Sequence, residues 1–548
     1  MFKNFIKKII RKSNPNLPDW KKINKEEFLD QKGSTNILIA TSAGGLLSSL
    51  VFESILGYAL KRKGCNVEFL LCDAPLSACI MATEFDIKED IFLKKGPSKI
   101  CSSCSHDSEV FLKDAKFKIN KLSDYIDINN EKNSQDLNSI KNINLDNAKN
   151  FKLDNIAIGE HAYAGTLRYY ARTDLEKKNS NAVLRKFLES SILTKIAIEK
   201  LYSKKKFDSV VLNHGIYVPQ GVIHDVSKSS GINTINYCLG TRKKTFCFCK
   251  DETYHKSLIN EKNDNWENLE MNSKIESKID KYLESRLHGN EDWIYFHNKP
   301  NFDLKNFIKK YNIDQAKPMI GLPTNVIWDA QIDFPSNFFE NILNWLFYTI
   351  DYFLKNKDLQ LIIRIHPAEI NSTKPAKQRI LDEIKKKYLI IPENIIIIPA
   401  EDNVSTYTVM QACDNVLIYG SRLGVELSAL KIPVIVCGEG FIRNKDIAVD
   451  INSFEEYDNV LRKLPLDNFI TEEKLKRAKK YAYHFFFRRM IKVNSIIEKP
   501  GSWPNIGIEE NLEEKISNNE DHGLDSICDS IINKTDFIYE DEKNNFIN

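Results

Sequence analysis

The run Asn36-Ile37-Leu38-Ile39-Ala40-Thr41, followed by Ser42-Ala43-Gly44-Gly45, decides the fold class. A short apolar run of this kind predicts a strand buried on both faces, as in a parallel sheet. The glycine pair turns the chain into a helical stretch from about Leu46 to Arg62, and Val67 to Cys72 reads as a second strand. Strand, turn, helix and strand make a βαβ unit, whose first turn lies at the carboxyl edge of the sheet, where ligands bind. The turn reads S-A-G-G-L-L rather than G-x-G-x-x-G, so it offers backbone approach to a ligand and no dinucleotide fingerprint. Ser42, Gly44 and Gly45 are candidates for ligand contacts at this edge.

Working outward, the alternation continues with a helix over 182–203, a strand over 208–212 ending in Asn213-His214-Gly215, a helix over 220–228 and a strand over 233–239. It restarts near Lys317, with strands over 319–322, 360–365, 395–399, 415–419 and 433–437 and helices between them. Two such arrays predict an α/β protein of two Rossmann-like domains facing a cleft. The expected organisation is a basic amphipathic segment over 1–30, a first Rossmann-like domain over 31–300 with an insertion near 129–152, and a second Rossmann-like domain over 301–470. A crossover helix over 471–504 and an acidic flexible tail over 505–548 complete it.

The length of 548 residues suits several domains, and 42% hydrophobic with 28% charged residues excludes bulk disorder and collagen. A net charge of +3 gives no polycation character, so no nucleic-acid partner is expected. Charge is uneven at the ends. The opening MFKNFIKKIIRK is basic and amphipathic and is expected to lie on an anionic membrane surface, or else to pack as an ordinary terminal helix. Residues 505–548 carry twelve Asp/Glu against three Lys. Without a secretory signal or an apolar run long enough to span, the protein is expected in the cytoplasm, peripheral at the inner face of the membrane.

Four of the eleven cysteines cluster as Cys72, Cys79, Cys101 and Cys104. A C-x2-C knuckle with two further thiolates is the pattern of a structural zinc or iron-sulfur site; the alternative is buried packing residues and loop thiols. Cys247 and Cys249 alternate along a strand and are expected to pack.

The residues just past each strand of the second array are polar: Thr324, Asn325 and Asp329, then His366 and Pro367, then Gly420, Ser421 and Arg422, with Glu426 one turn on. In Ile363-Arg364-Ile365-His366-Pro367, proline holds the histidine backbone extended, and the imidazole can donate to a phosphate. Ser421 brings a hydroxyl to a helix start, and Glu426 can accept from a ribose diol. Local roles, a strand-end histidine and an N-cap, are the alternatives.

The R-I-H-P strand end and the later Y-G-S-R-L-G-V-E-L-S-A-L-K-I-P-V-I resemble the donor domain of bacterial capsule and surface polysaccharide glycosyltransferases of GT-B type, of the Kdo- and sialyl-transferase-like kind. The resemblance covers about 317–440. It implies a nucleotide-sugar donor, CMP-linked favoured, with His366 and Ser421 on the departing phosphate and Arg364, Pro367, Asn325, Gly420, Arg422 and Glu426 around the nucleotide. It also implies a lipid-linked or polysaccharide acceptor, with the domain over 301–470 binding the nucleotide-sugar and the domain over 31–300 meeting the acceptor, Ser42, Gly44 and Gly45 on the acceptor side. The acidic D/E-D/E-G motif of several relatives is absent, so the base is sought at Glu160 or His214, with His161 on the acceptor side. No D-x-D cluster ends a strand, so a metal-bound nucleotide is not required. Thr241-Arg242-Lys243-Lys244 offers attraction for phosphate or an acidic acceptor, or is a solvated turn. A glycerophosphotransferase of wall polymer synthesis and a non-catalytic capsule assembly or export protein are the other readings.

Overall fold

The computed structural model describes residues 14, 16–23, 33–127, 131, 134–175, 179–296, 299–329, 337–467, 469–500 and 504–544. The amphipathic face expected over Met1–Lys12 lies outside them. The chain divides into two compact α/β units, each built on a parallel sheet.

The first unit is assembled from residues 1–162, 182–237 and 492–536. Its strands are β1 (Asn36–Ser42), β2 (Asn66–Leu71), β3 (Lys118–Lys121), β4 (Ser209–Asn213) and β5 (Asn233–Leu239). They lie in the order β5-β4-β1-β2-β3, and every pair is parallel. The chain thus runs outward from β1 to β3, then returns to the other side of β1 with β4. β1 and β4 are buried along nearly their whole length, as their apolar runs require. β3 was not foreseen: Lys118-Ile119-Asn120-Lys121 has no apolar run, which suits a charged strand at a sheet edge.

The helix Leu47–Arg62 is buried from Leu50 to Leu60 without a polar face. A helix that is apolar all round needs cover on two sides. The sheet supplies one, and β15 (Asn505–Ile508), which pairs with β14 (Ile496–Lys499), and the helices Leu512–Ser517 and His522–Asn533 contribute the other. The expected flexible tail is therefore folded. Its acid count hid an apolar stripe, Leu524, Ile527, Cys528 and Ile531, at helical spacing and fully covered.

The second unit comprises residues 163–181, 238–491 and 537–548. β6 (Thr245–Lys250) pairs with β13 (Met490–Lys492), and Cys247 and Cys249 are buried in it. The main sheet contains β7 (Met319–Pro323), β8 (Gln360–Arg364), β9 (Ile395–Ile398), β10 (Asn415–Ile418), β11 (Val434–Val436) and β12 (Val449–Asp450). Its order is β12-β11-β10-β7-β8-β9, again parallel and again with a return past the first strand. Trp345, on the helix Ile342–Phe353, stacks on Tyr419 at 5.2 Å and donates to the Tyr457 hydroxyl at 3.1 Å. The expected crossover helix stops at Tyr483 and passes through a single π turn, His484–Arg488, into strands. The expected boundary near 300 also differs: residues from Cys238 already belong to the second unit.

The covering role of the C-terminal stretch has a measurable consequence. Ile527→Ala should lower stability by about 2–4 kcal/mol, the usual cost of an emptied apolar site. Exposed Glu514→Ala should stay within roughly 0.5 kcal/mol. Urea unfolding followed by circular dichroism checks both.

Candidate active site

In a doubly wound sheet the ligand crevice opens outside the carboxyl ends of the two strands where the order reverses. In the second unit these are β7 and β10, and the residues there are laced together. The Asn325 side-chain amide donates to the Gly420 carbonyl at 2.7 Å, tying the end of β7 to the end of β10. Thr324 Oγ1 accepts the His366 backbone N–H at 3.0 Å, tying β7 to β8. Gly420 has φ +62°, a left-handed turn that costs glycine nothing, and its N–H donates to the Glu439 carbonyl at 2.8 Å.

His366 is oriented at its own turn. Its Nδ1 accepts the Ala368 N–H at 3.0 Å, so Nδ1 is unprotonated and a neutral ring carries its proton on Nε2. Phe296 stands edge-on to the ring at 5.6 Å. Pro367 follows in the helical region and caps the short helix Ala368–Asn371. Ser421 Oγ accepts the Leu423 N–H at 3.1 Å, an N-cap-like bond that leaves the hydroxyl proton able to donate. His366 and Ser421 follow β8 and β10, which flank β7, so they stand about two strand spacings, roughly 10 Å, apart.

Three expected nucleotide contacts are engaged elsewhere. Glu426 is buried, with Oε1 held by Arg286 at 2.8 Å and Oε2 by the Tyr407 hydroxyl, so both oxygens are committed and it is not the expected ribose acceptor. Arg364 is buried, and its guanidinium donates to the carbonyls of Pro399, at 2.6 Å, and Asp402, at 2.9 Å. It holds the loop after β9 rather than a phosphate. Arg422 donates to Thr241 Oγ1 at 2.5 Å. Arg242 donates to the Phe486 carbonyl at 2.8 Å and lies over the Phe487 ring at 4.1 Å, so it packs the interior instead of attracting an anion. Asp329 is paired with Arg168 at 3.3 Å.

In the first unit the order reverses between β1, which ends in Ser42, and β4, which His214 follows. Both non-glycine residues adopt left-handed backbone, φ +51° and +68°, a costly geometry that clusters at functional sites. The His214 N–H donates to the Tyr237 carbonyl at 2.9 Å, and its ring lies 5.4 Å from Tyr217. Glu160 is half-buried in the first turn of the helix Ile158–Tyr170. His161 is locked: Nδ1 meets the Ile216 carbonyl at 2.6 Å and Nε2 meets Asp225 Oδ2 at 3.2 Å. Burial would lower its pKa, but the Asp225 carboxylate outweighs burial and raises it, while His161 holds Asp225 well below the usual range. The pair is a buried imidazolium-carboxylate bridge, so His161 is not placed to act as an acceptor-side base.

Gly44 and Gly45 serve packing. A Cβ on Gly44 would fall 2.3 Å from Ser108 Cβ, and one on Gly45 would fall 2.7 Å from Met81 Cε. The helix Ser98–Asp114 presses on this turn, which explains the glycine pair without a ligand. The four clustered cysteines do converge, lining one cavity beside Ser42 and Ala43. Among the described residues, however, no group of three or more Cys, His, Asp or Glu is arranged to hold a metal. The physical reason lies in Cys101 and Cys104: they sit inside a helix and not at a knuckle turn.

Glu53 escaped the sequence reading. It is fully buried on the helix Leu47–Arg62, accepts from the Tyr237 hydroxyl at 2.8 Å, and has no hydrogen bond to Oε2. Desolvation pushes its pKa up to about 7 against the lowering effects of Thr41 and Tyr237. A single acid within Leu50-Val51-Phe52-Glu53-Ser54-Ile55-Leu56 was the available signal.

No protein-family profile matches the chain, and no curated protein matches it in sequence. Among solved structures, Thermosulfurimonas dismutans KpsC, beta Kdo 2,4 transferase, is similar over 59% of this chain and 95% of its own, at 10% identity and TM-score 0.36. The KpsC beta Kdo 2,7 transferase of the same organism covers 59% and 87%, at 15% identity and TM-score 0.31. Sucrose-phosphate synthase from Thermosynechococcus elongatus covers 82% and 95%, at 10% identity and TM-score 0.28. Scores this low add no argument, and the fold and site rest on the strand order and strand ends described above.

Glu53 makes stability pH-dependent. Because its folded pKa lies above the unfolded value, its contribution is intact below about 4.5 and is lost as pH rises through about 7. The loss amounts to about 3 kcal/mol. Glu53→Gln, which keeps a neutral acceptor for Tyr237, should remove this part of the decline between pH 5 and 8, as followed by thermal unfolding across that range.

Proposed function

We propose that the protein is a glycosyltransferase that moves a sugar from a nucleotide-sugar donor to a polymeric or lipid-linked acceptor in surface polysaccharide synthesis. The observation that carries this reading is His366: its ring proton is set on Nε2 by the Ala368 N–H, and it stands beside the crevice between β7 and β10. Sugar transfer leaves a nucleotide phosphate whose negative charge grows as the glycosidic bond breaks. A donor that already carries its proton stabilises that charge without a prior change of tautomer. Ser421 adds a neutral hydroxyl from the far side of β7, and the Asn325 bridge keeps its loop in register with that of His366.

The acceptor hydroxyl must lose a proton as it attacks the sugar carbon, and a base within hydrogen-bond reach accelerates that loss. Glu160 and His214 are the candidates in the first unit, His214 at the strand end where order reverses and Glu160 at a helix start. A CMP-linked donor is the favoured substrate. Among the described residues no helix is long and apolar enough to cross a membrane, and peripheral attachment through residues 1–12 belongs to this proposal.

The test is a thermal-shift screen with CMP, CDP, UDP and GDP, followed by turnover with the sugar derivative of the nucleotide that binds. A ligand that binds the native state raises the melting temperature. His366→Ala should lower turnover on the order of a hundredfold with the fold intact, and Ser421→Ala should lower it less. Replacing the true base should abolish one limb of the pH-rate profile. Unchanged turnover and nucleotide affinity in folded His366→Ala protein would overturn the donor-site assignment.

A further inference from the structure

The cavity lined by Cys72, Cys79, Cys101 and Cys104 has no part in the sugar-transfer reading, and its arrangement is specific. Cys104 Sγ accepts the Gly45 N–H at 3.0 Å, joining the helix Ser98–Asp114 to the turn that follows β1. Cys101 lies one turn earlier on the same helix, at i and i+3, so the two side chains share a face. Regular helix geometry sets their Cα atoms roughly 5 Å apart. That separation falls inside the span a disulfide bridges, about 4.4–6.8 Å. Both residues are partly exposed, whereas Cys79 is buried.

We propose that Cys101 and Cys104 are an oxidisable pair, closed by peroxide, whose disulfide withdraws Cys104 from the Gly45 amide and loosens the turn at the carboxyl edge of β1. In the first step the Cys101 sulfur attacks peroxide; the O–O bond breaks, Cys101 becomes a sulfenic acid and one water leaves. In the second, the Cys104 sulfur attacks the Cys101 sulfur, and the sulfenic oxygen leaves as a second water with the Cys104 proton. Two thiols lose two electrons in all, and the peroxide gains them. Both groups rest as thiols, Cys104 pushed up to about 11 chiefly by burial, so the reaction quickens as pH rises.

Full-length protein, fully reduced and then exposed to hydrogen peroxide, is blocked with N-ethylmaleimide and digested with trypsin. The peptide Ile100–Lys113 contains both cysteines and should lose two hydrogens, regain them with dithiothreitol, and form faster at pH 9 than at pH 7. In oxidised protein, amide exchange over residues 43–46 should speed up on the order of tenfold. Cys104→Ser keeps an oxygen acceptor for Gly45; it should fold, form no bridge and leave Cys101 as a sulfenic acid that dimedone traps. A peptide that stays dithiol in folded protein, a bridge to Cys72 or Cys79 instead, or unchanged exchange over 43–46 would each overturn the proposal. None of these readouts depends on sugar transfer, so they stand apart from the activity test.

Discussion

A parallel strand can rejoin its sheet only by crossing over a face, so each unit delivers all its strand ends to one edge. Where the order reverses, no crossover covers that edge, and polar side chains can gather without being buried by the next helix. β1 and β4 make this place in the first unit, and β7 and β10 make it in the second. The left-handed backbone of Ser42, His214 and Gly420 falls at three of these four strand ends. The Asn325 amide bridging to Gly420 then substitutes for the strand pairing that has just run out, fixing two loops that the sheet itself no longer holds.

This constraint also explains which parts of the molecule were legible in advance. Apolar runs such as Ile37-Leu38-Ile39 and Ile395-Ile396-Ile397-Ile398 announce buried parallel strands, and strand ends follow directly from them. His366, Ser421, Asn325 and His214 were found at strand ends for that reason. What local patterns cannot convey is who pairs with whom across long separations. Glu426 looks like a ribose ligand until Arg286, 140 residues away, is seen to hold it. Arg364 looks like a phosphate ligand until its carbonyl partners near residue 400 appear. The Cys101-x2-Cys104 spacing fits a metal knuckle or one helical turn equally well, and only the surrounding helix decides between them.

Two carboxyls of the first unit, half-buried Asp225 and fully buried Glu53, stand in opposite states, and the difference is one of partners. Asp225 keeps its charge because His161 supplies a compensating one. Glu53 has only the neutral Thr41 and Tyr237, and desolvation holds it protonated until near neutral pH. The apolar helix that covers β1 therefore carries a proton-dependent weakness close to the strand end.

The division of the chain bears on how the protein comes into being. Residues 492–536 complete the unit that begins at the N-terminus, although the whole of β6 to β13 is made in between. During synthesis the helix Leu47–Arg62 therefore emerges with one apolar side uncovered and waits for some 450 residues of chain; at about 5–20 residues per second that wait lasts tens of seconds. Contacts of such long sequence separation also close late in folding. The nascent chain consequently passes through a stage in which all of its second unit but residues 537–548 has been made while its first still presents a sticky helix to chaperones and to other nascent chains.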